Sequence, residues 1–139
     1  MCSATRREVL IGGGTFAAST FACAGARADY ARFAAEAERM RREAVAAGDQ
    51  SFGAVIVRNG AIIGYGPSRV VQDRNPDAHA ERVALWDAQR HTGSRSLPGA
   101  IIFSTSTPCA TCQNALAEAD IEAMLVGPQA SPSGRPRRW

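Results

Sequence analysis

The chain has 139 residues, 45% of them hydrophobic and 21% charged, which allows one domain with a real core and excludes two. All 16 basic residues are Arg and the formal net charge is +3. From Asp29 onward 13 Arg stand against 12 Asp and Glu, a balance near +1 that offers no electrostatic footprint for nucleic acid.

Residues 1–28 read as an export address. Thr5-Arg6-Arg7-Glu8-Val9-Leu10 resembles a twin-arginine signal. A mildly apolar stretch follows from Val9 to about Ala26 and closes on Ala26-Arg27-Ala28, an A-x-A cleavage pattern before Asp29. Its Gly, Ala, Ser and Thr make it too weakly apolar for a membrane span, which needs roughly 20 strongly apolar residues. The expected location is therefore exported or periplasmic, with no membrane segment in the mature form. The alternative is a frayed N-terminal helix of a cytoplasmic protein. A lipidated Cys23 is a weaker variant, because Thr20-Phe21-Ala22 is a poor lipoprotein box. Removing the signal leaves Cys109 and Cys112 as the remaining cysteines, which is no disulfide framework for a secreted domain.

The mature part opens with a helix over Tyr30–Ala47, where Phe33, Ala37, Met40 and Ala44 recur at helical spacing and Gly48 ends it. Two β-branched, apolar runs follow, Ser51–Arg58 and Ala61–Gly66. Asn59-Gly60 joins them, a dipeptide suited to a two-residue hairpin turn. After a loop, a second helix is expected from Asn75-Pro76, with Asn75 as N-cap and His79, Val83 and Trp86 on one face. Ala100–Thr105 is a third strand. Thr107 and Pro108 open a third helix running from Cys109 to about Ala119, and Ala123–Gly127 is a fourth strand. Residues 128–139 read as an unstructured tail. The order α-β-β-α-β-α-β implies a central sheet covered by helices.

On this map His79 and Glu81 lie early in the second helix, and Cys109 and Cys112 early in the third. One imidazole and two thiols suit Zn²⁺, and three protein ligands leave the fourth position for water. Helix N-termini also favour thiolates. The spacing His79-Ala80-Glu81, then Pro108-Cys109-Ala110-Thr111-Cys112, resembles the H-x-E…P-C-x-x-C signature of zinc-dependent base and nucleoside deaminases. From about Ala31 to Gly127 the chain is similar to the guanine deaminase, cytosine deaminase and tRNA adenosine deaminase branch of the cytidine/deoxycytidylate deaminase superfamily. The resemblance implies a three-layer α-β-α fold with a mixed sheet, a deaminase domain over 29–127 and one Zn²⁺ per chain. It implies His79, Cys109 and Cys112 as ligands, and Glu81 as the residue that moves protons while zinc-activated water replaces an exocyclic amine by a carbonyl. It further implies substrate contacts at Phe52, Ala54, Ser68 and Ala80, although strand packing is the stronger expectation for Phe52.

Three departures bear on substrate. Ser68, eleven residues before His79, stands where the family carries an Asn that hydrogen-bonds the base. Ser51 replaces a usual Pro, and the Gly expected after the second Cys is displaced to Asn114. The family continues past the fourth strand where this chain reads as C-terminally shortened, which leaves a weak or inactive deaminase fold with structural zinc as one alternative. An exported C-x-x-C thiol/disulfide protein is another. The expected partner is a small-molecule nucleobase or nucleoside rather than nucleic acid, with a homodimer possible. Trp86, Phe33 and Met40 are expected in the core, His91 on the surface, and Arg135, Arg137 and Arg138 on a solvated end.

Overall fold

The computed structural model describes residues 21–139, with side chains from residue 28 onward. Arg6, Arg7 and the apolar stretch up to residue 20 lie outside the described residues, as does the Cys23 side chain. Helix α1 spans Phe21–Ala46, β1 Gly53–Arg58, β2 Ala61–Pro67, α2 Ala80–Thr92, β3 Ile101–Ser104, α3 Ala110–Glu118, β4 Ala123–Val126 and β5 Ser131–Pro132. The strands form one mixed sheet in the order β2-β1-β3-β4-β5. β1 pairs antiparallel with β2 and β3, β3 pairs parallel with β4, and β4 antiparallel with β5.

The hairpin turn forms as expected, with positive φ at Asn59 (52°) and Gly60 (74°). Alternation along the central strands then feeds two cores. Val55, Val57 and Phe103 face α1, where Phe33, Ala37 and Met40 meet them. Ala54, Ile56 and Ile102 face α2 and α3, where Ala84, Leu85 and Leu116 meet them. Phe103 anchors α1: the rings of Tyr30 and Phe33 lie 5.4 and 5.3 Å from it. The result is the three-layer α-β-α arrangement expected from the sequence.

Helix α1 begins at Phe21 rather than Tyr30, and Cys109 rather than Thr107 is the N-cap of α3. Three further elements depart from expectation. Helix α2 begins at Ala80 rather than near Asn75. Asn75 instead closes a local turn, its Oδ1 accepting the Asp77 N–H at 3.0 Å and its carbonyl the Ala78 N–H at 3.0 Å. Such a side-chain turn competes with helix initiation. The tail pairs with the sheet through β5 and through Met124–Gly134 and Ser133–Met124 backbone bonds of 2.8 Å. The edge of β4 supplies donors and acceptors whatever the tail's composition. Trp86 stays 38% exposed, lying against the Arg82 guanidinium at 5.7 Å instead of entering the core.

The approach of α2 to β2 sets the position of the helix start. Ala80, Ala84 and Ala88 face Gly66 and Gly64, and a Cβ on Gly66 would fall 2.0 Å from the Ala80 carbonyl oxygen and 2.5 Å from the Ala84 nitrogen. Neither is a flexible side-chain tip, so the helix itself would have to move. Gly66→Ala is expected to cost about 2 kcal/mol or more in urea unfolding. Gly48→Ala, at φ 78° with open space around it, is expected to cost about 1 kcal/mol. Equal losses at the two positions would contradict this close packing.

Candidate functional site

The two helix starts meet at one end of the sheet. His79 is the N-cap of α2 and Cys109 the N-cap of α3, both with extended backbone (ψ 152° and 170°). The His79 imidazole makes no cap hydrogen bond on its own helix and remains free for another partner. The parallel β3-α3-β4 crossover carries Cys109 and Cys112 to the end of β3, where such units commonly bind ligands.

His79 Nδ1 lies 3.6 Å from Cys109 Sγ and 3.4 Å from Cys112 Sγ. The three donor atoms all fall within 4.8 Å of one another. A tetrahedral zinc with ordinary Zn–N and Zn–S bonds requires N···S separations of about 3.5 Å. The donor set and its spacing therefore fit zinc, one ion per chain. The two thiols are unlike. Cys109 is exposed; burial opposes its ionisation, but the Thr111 hydroxyl, the Cys112 backbone N–H, the Cys112 thiol and His79 lower its pKa to about 7. Cys112 is buried, and burial, followed by the Glu81 and Cys109 charges, pushes its thiol pKa upward.

Glu81 sits in the first turn of α2 and is 4% exposed. Its Oε1 accepts the Ser104 hydroxyl at 2.8 Å, and its Oε2 lies 3.8 Å from Cys112 Sγ. A cavity of about 160 Å³ opens beside it, lined by Gln50, Phe52, His79, Glu81, Ser106, Thr107 and Cys109. The Phe52 ring is 41% exposed, on the cavity rather than in the strand packing.

Ala54 and Ala80 are fully buried in the core beneath α2, and neither lines the cavity. Ser68 is also fully buried, and its hydroxyl is committed to Asp49 Oδ1 at 3.0 Å. Asp49 Oδ2 in turn accepts the Val71 and Gln72 N–H groups, so Ser68 and Asp49 hold the loop after β2. Burial resists ionisation of Asp49, yet the N–H groups of Gln72 and Gln50, the Ser68 hydroxyl and the Val71 N–H lower its pKa. Gln50, Ser104, Ser106 and Thr107 were not legible as site residues. The last two adjoin the Pro-Cys motif and could have been suspected from that adjacency, but nothing in the sequence pairs Ser104 with Glu81.

In protein stripped of metal, alkylation of Cys109 by iodoacetamide is expected to rise with pH through about 7, because the thiolate is the nucleophile. Cys112, buried and shifted the other way, is expected to react far more slowly. Peptide mapping across a pH series checks this; equal rates at both thiols would contradict the geometry. Loading one zinc per chain is expected to protect both.

The zinc-binding region of cytidine and deoxycytidylate deaminases matches residues 27–128. Over 65 residues the chain is 40% identical to a guanine deaminase of Bacillus subtilis (strain 168), covering 47% of this chain and 42% of that protein. Over 87 residues it is 33% identical to a tRNA-specific adenosine deaminase of Aquifex aeolicus (strain VF5), covering 63% of this chain and 58% of that one. The chain thus spans about half the length of these two relatives. The X-ray structure of guanine deaminase from Bacillus subtilis superposes with a TM-score of 0.66 at 35% identity, over 68% of this chain and 61% of that one. Fold, donor set and family match agree: the chain belongs to the zinc-binding cytidine and deoxycytidylate deaminase family.

Proposed function

We propose that the protein is a hydrolytic deaminase of a free nucleobase or nucleoside. The observation that carries this is the placement of a buried carboxylate, Glu81, beside the three-donor metal site and on the wall of a ring-sized cavity. His79, Cys109 and Cys112 would hold the zinc. When bound, zinc supplies Lewis acidity that makes a water nucleophilic at neutral pH.

The chain's own residues do the remaining work. Glu81 takes one proton from the attacking water and gives it to a ring nitrogen, then takes the second from the hydroxyl now on the ring carbon and gives it to the departing amine. The carbon–nitrogen bond to the exocyclic amine breaks, ammonia leaves, and the ring carbon keeps the water oxygen as a carbonyl. Phe52 offers an apolar face to the flat ring, while Gln50, Ser106 and Thr107 offer polar groups to its edge. A free base is favoured over a nucleic acid by the near-zero charge of the chain from Asp29 onward.

Export remains part of the proposal, supported by the Arg6-Arg7 signal and the A-x-A pattern before Asp29. Tyr30 and Phe33, the aromatic anchors of α1, both follow that point, so cleavage there would spare the core. N-terminal sequencing of the exported protein is expected to read Asp29 first; an uncleaved cytoplasmic chain would remove this part.

Ammonia release from guanine, adenine, cytosine and their nucleosides, with zinc content measured in parallel, tests the activity. Zinc-loaded protein is expected to turn over at least one of them. Glu81→Gln is expected to keep its zinc and lose roughly 10²- to 10⁴-fold in kcat. Full zinc with no turnover of any base or nucleoside would overturn the enzyme reading and leave a structural zinc.

A further inference from the structure

Ser104 is the last residue of β3 and is 3% exposed. Its backbone is held from both sides, in register with Ala54 of β1 and Val126 of β4, and its carbonyl accepts the Gly127 N–H at 3.0 Å. The hydroxyl is therefore mounted on rigid backbone in the middle of the sheet. It donates to Glu81 Oε1 at 2.8 Å, and the Ser106 backbone N–H points at its oxygen from 3.4 Å. That N–H occupies the acceptor side of the hydroxyl, which directs the hydroxyl proton toward Glu81.

We propose that Ser104 is the positioning residue of the Glu81 carboxylate: by donating to Oε1 it fixes the plane of the carboxyl group and leaves Oε2 as the oxygen that carries the proton. This rests on the deaminase reading of Glu81. A carboxylate buried to this degree needs a partner for each oxygen, and a free rotation about its last bond would exchange the two. With Oε1 committed to Ser104, Oε2 is the oxygen left on the side of Cys112 and the metal site. Ser104 does not line the cavity and is not one of the metal donors, so it acts through Glu81.

The test compares zinc-loaded wild type, Ser104→Ala and Ser104→Thr. Zinc per chain, kcat and KM on whichever base wild type deaminates, and crystal structures of wild type and Ser104→Ala are measured. Ser104→Ala is expected to keep one zinc per chain and its KM while kcat falls roughly 10- to 100-fold. Ser104→Thr, which keeps the hydroxyl, is expected to recover most of that loss. In crystals the Glu81 carboxylate is expected in one orientation in wild type and rotated or split in Ser104→Ala. A kcat within twofold of wild type, a loss confined to KM, or a loss of zinc in Ser104→Ala would overturn the role. If wild type deaminates nothing, the deaminase reading fails separately, and the crystal structures still decide this inference: an unmoved Glu81 carboxylate in Ser104→Ala overturns it.

Discussion

The site depends on one constraint, the meeting of two helix starts at one end of the sheet. His79 and Cys109 are N-caps of different helices, separated by 29 intervening residues, yet their donor atoms lie 3.6 Å apart. Each helix is fixed by a different device. The start of α2 is set by Gly66 and Gly64, which let the helix backbone settle directly on β2. The start of α3 is set by the parallel crossover between β3 and β4, which brings Cys109 to the end of β3. Nothing in either device involves the metal donors themselves, so the scaffold can present them before any ion arrives.

That arrangement also separates the work of the two carboxylates near the site. Asp49 is spent on structure: two backbone N–H groups and the Ser68 hydroxyl hold it against the loop after β2. Glu81 takes the Ser104 hydroxyl on Oε1, while its Oε2 faces only the weak Cys112 thiol donor at 3.8 Å, whose proton metal binding would remove. A carboxylate with both oxygens saturated by donors is stabilised as an anion and is a poor proton carrier. One with a fixed oxygen and an open one is oriented yet still basic. The contrast lies in the partners, since both groups are carboxylates of the same chemistry.

Much of this was legible in the sequence. Asn59-Gly60 marked the hairpin, because both positions need positive φ, and the β-branched runs beside it marked the central strands. The metal donors were legible because their chemistry is tied to short, fixed spacings within each motif. The rest was not, for reasons of two kinds. Local competition moved the start of α2, since the Asn75 side chain closes a turn before a helix can begin. Pairing without a strand pattern escaped: Ser131-Pro132 turns back in a short hairpin and joins β4 only because that edge is open. Ser68 occupied a position the family uses for substrate, but its hydroxyl found Asp49, 19 residues earlier in the chain. Ser104 had no motif of its own, and its pairing with Glu81 exists only once β3 lies beneath α2.

The redox and metal readings of Cys109-Ala110-Thr111-Cys112 separate on the third donor, because a thiol pair working by disulfide exchange has no use for an imidazole facing both sulfurs. X-ray absorption at the zinc edge on the purified protein measures this directly. The account predicts two sulfur neighbours at about 2.3 Å, one nitrogen at about 2.0–2.1 Å and one light oxygen neighbour. A zinc-free protein with Cys109 and Cys112 joined in a disulfide, or a zinc with four protein donors and no water, would contradict it.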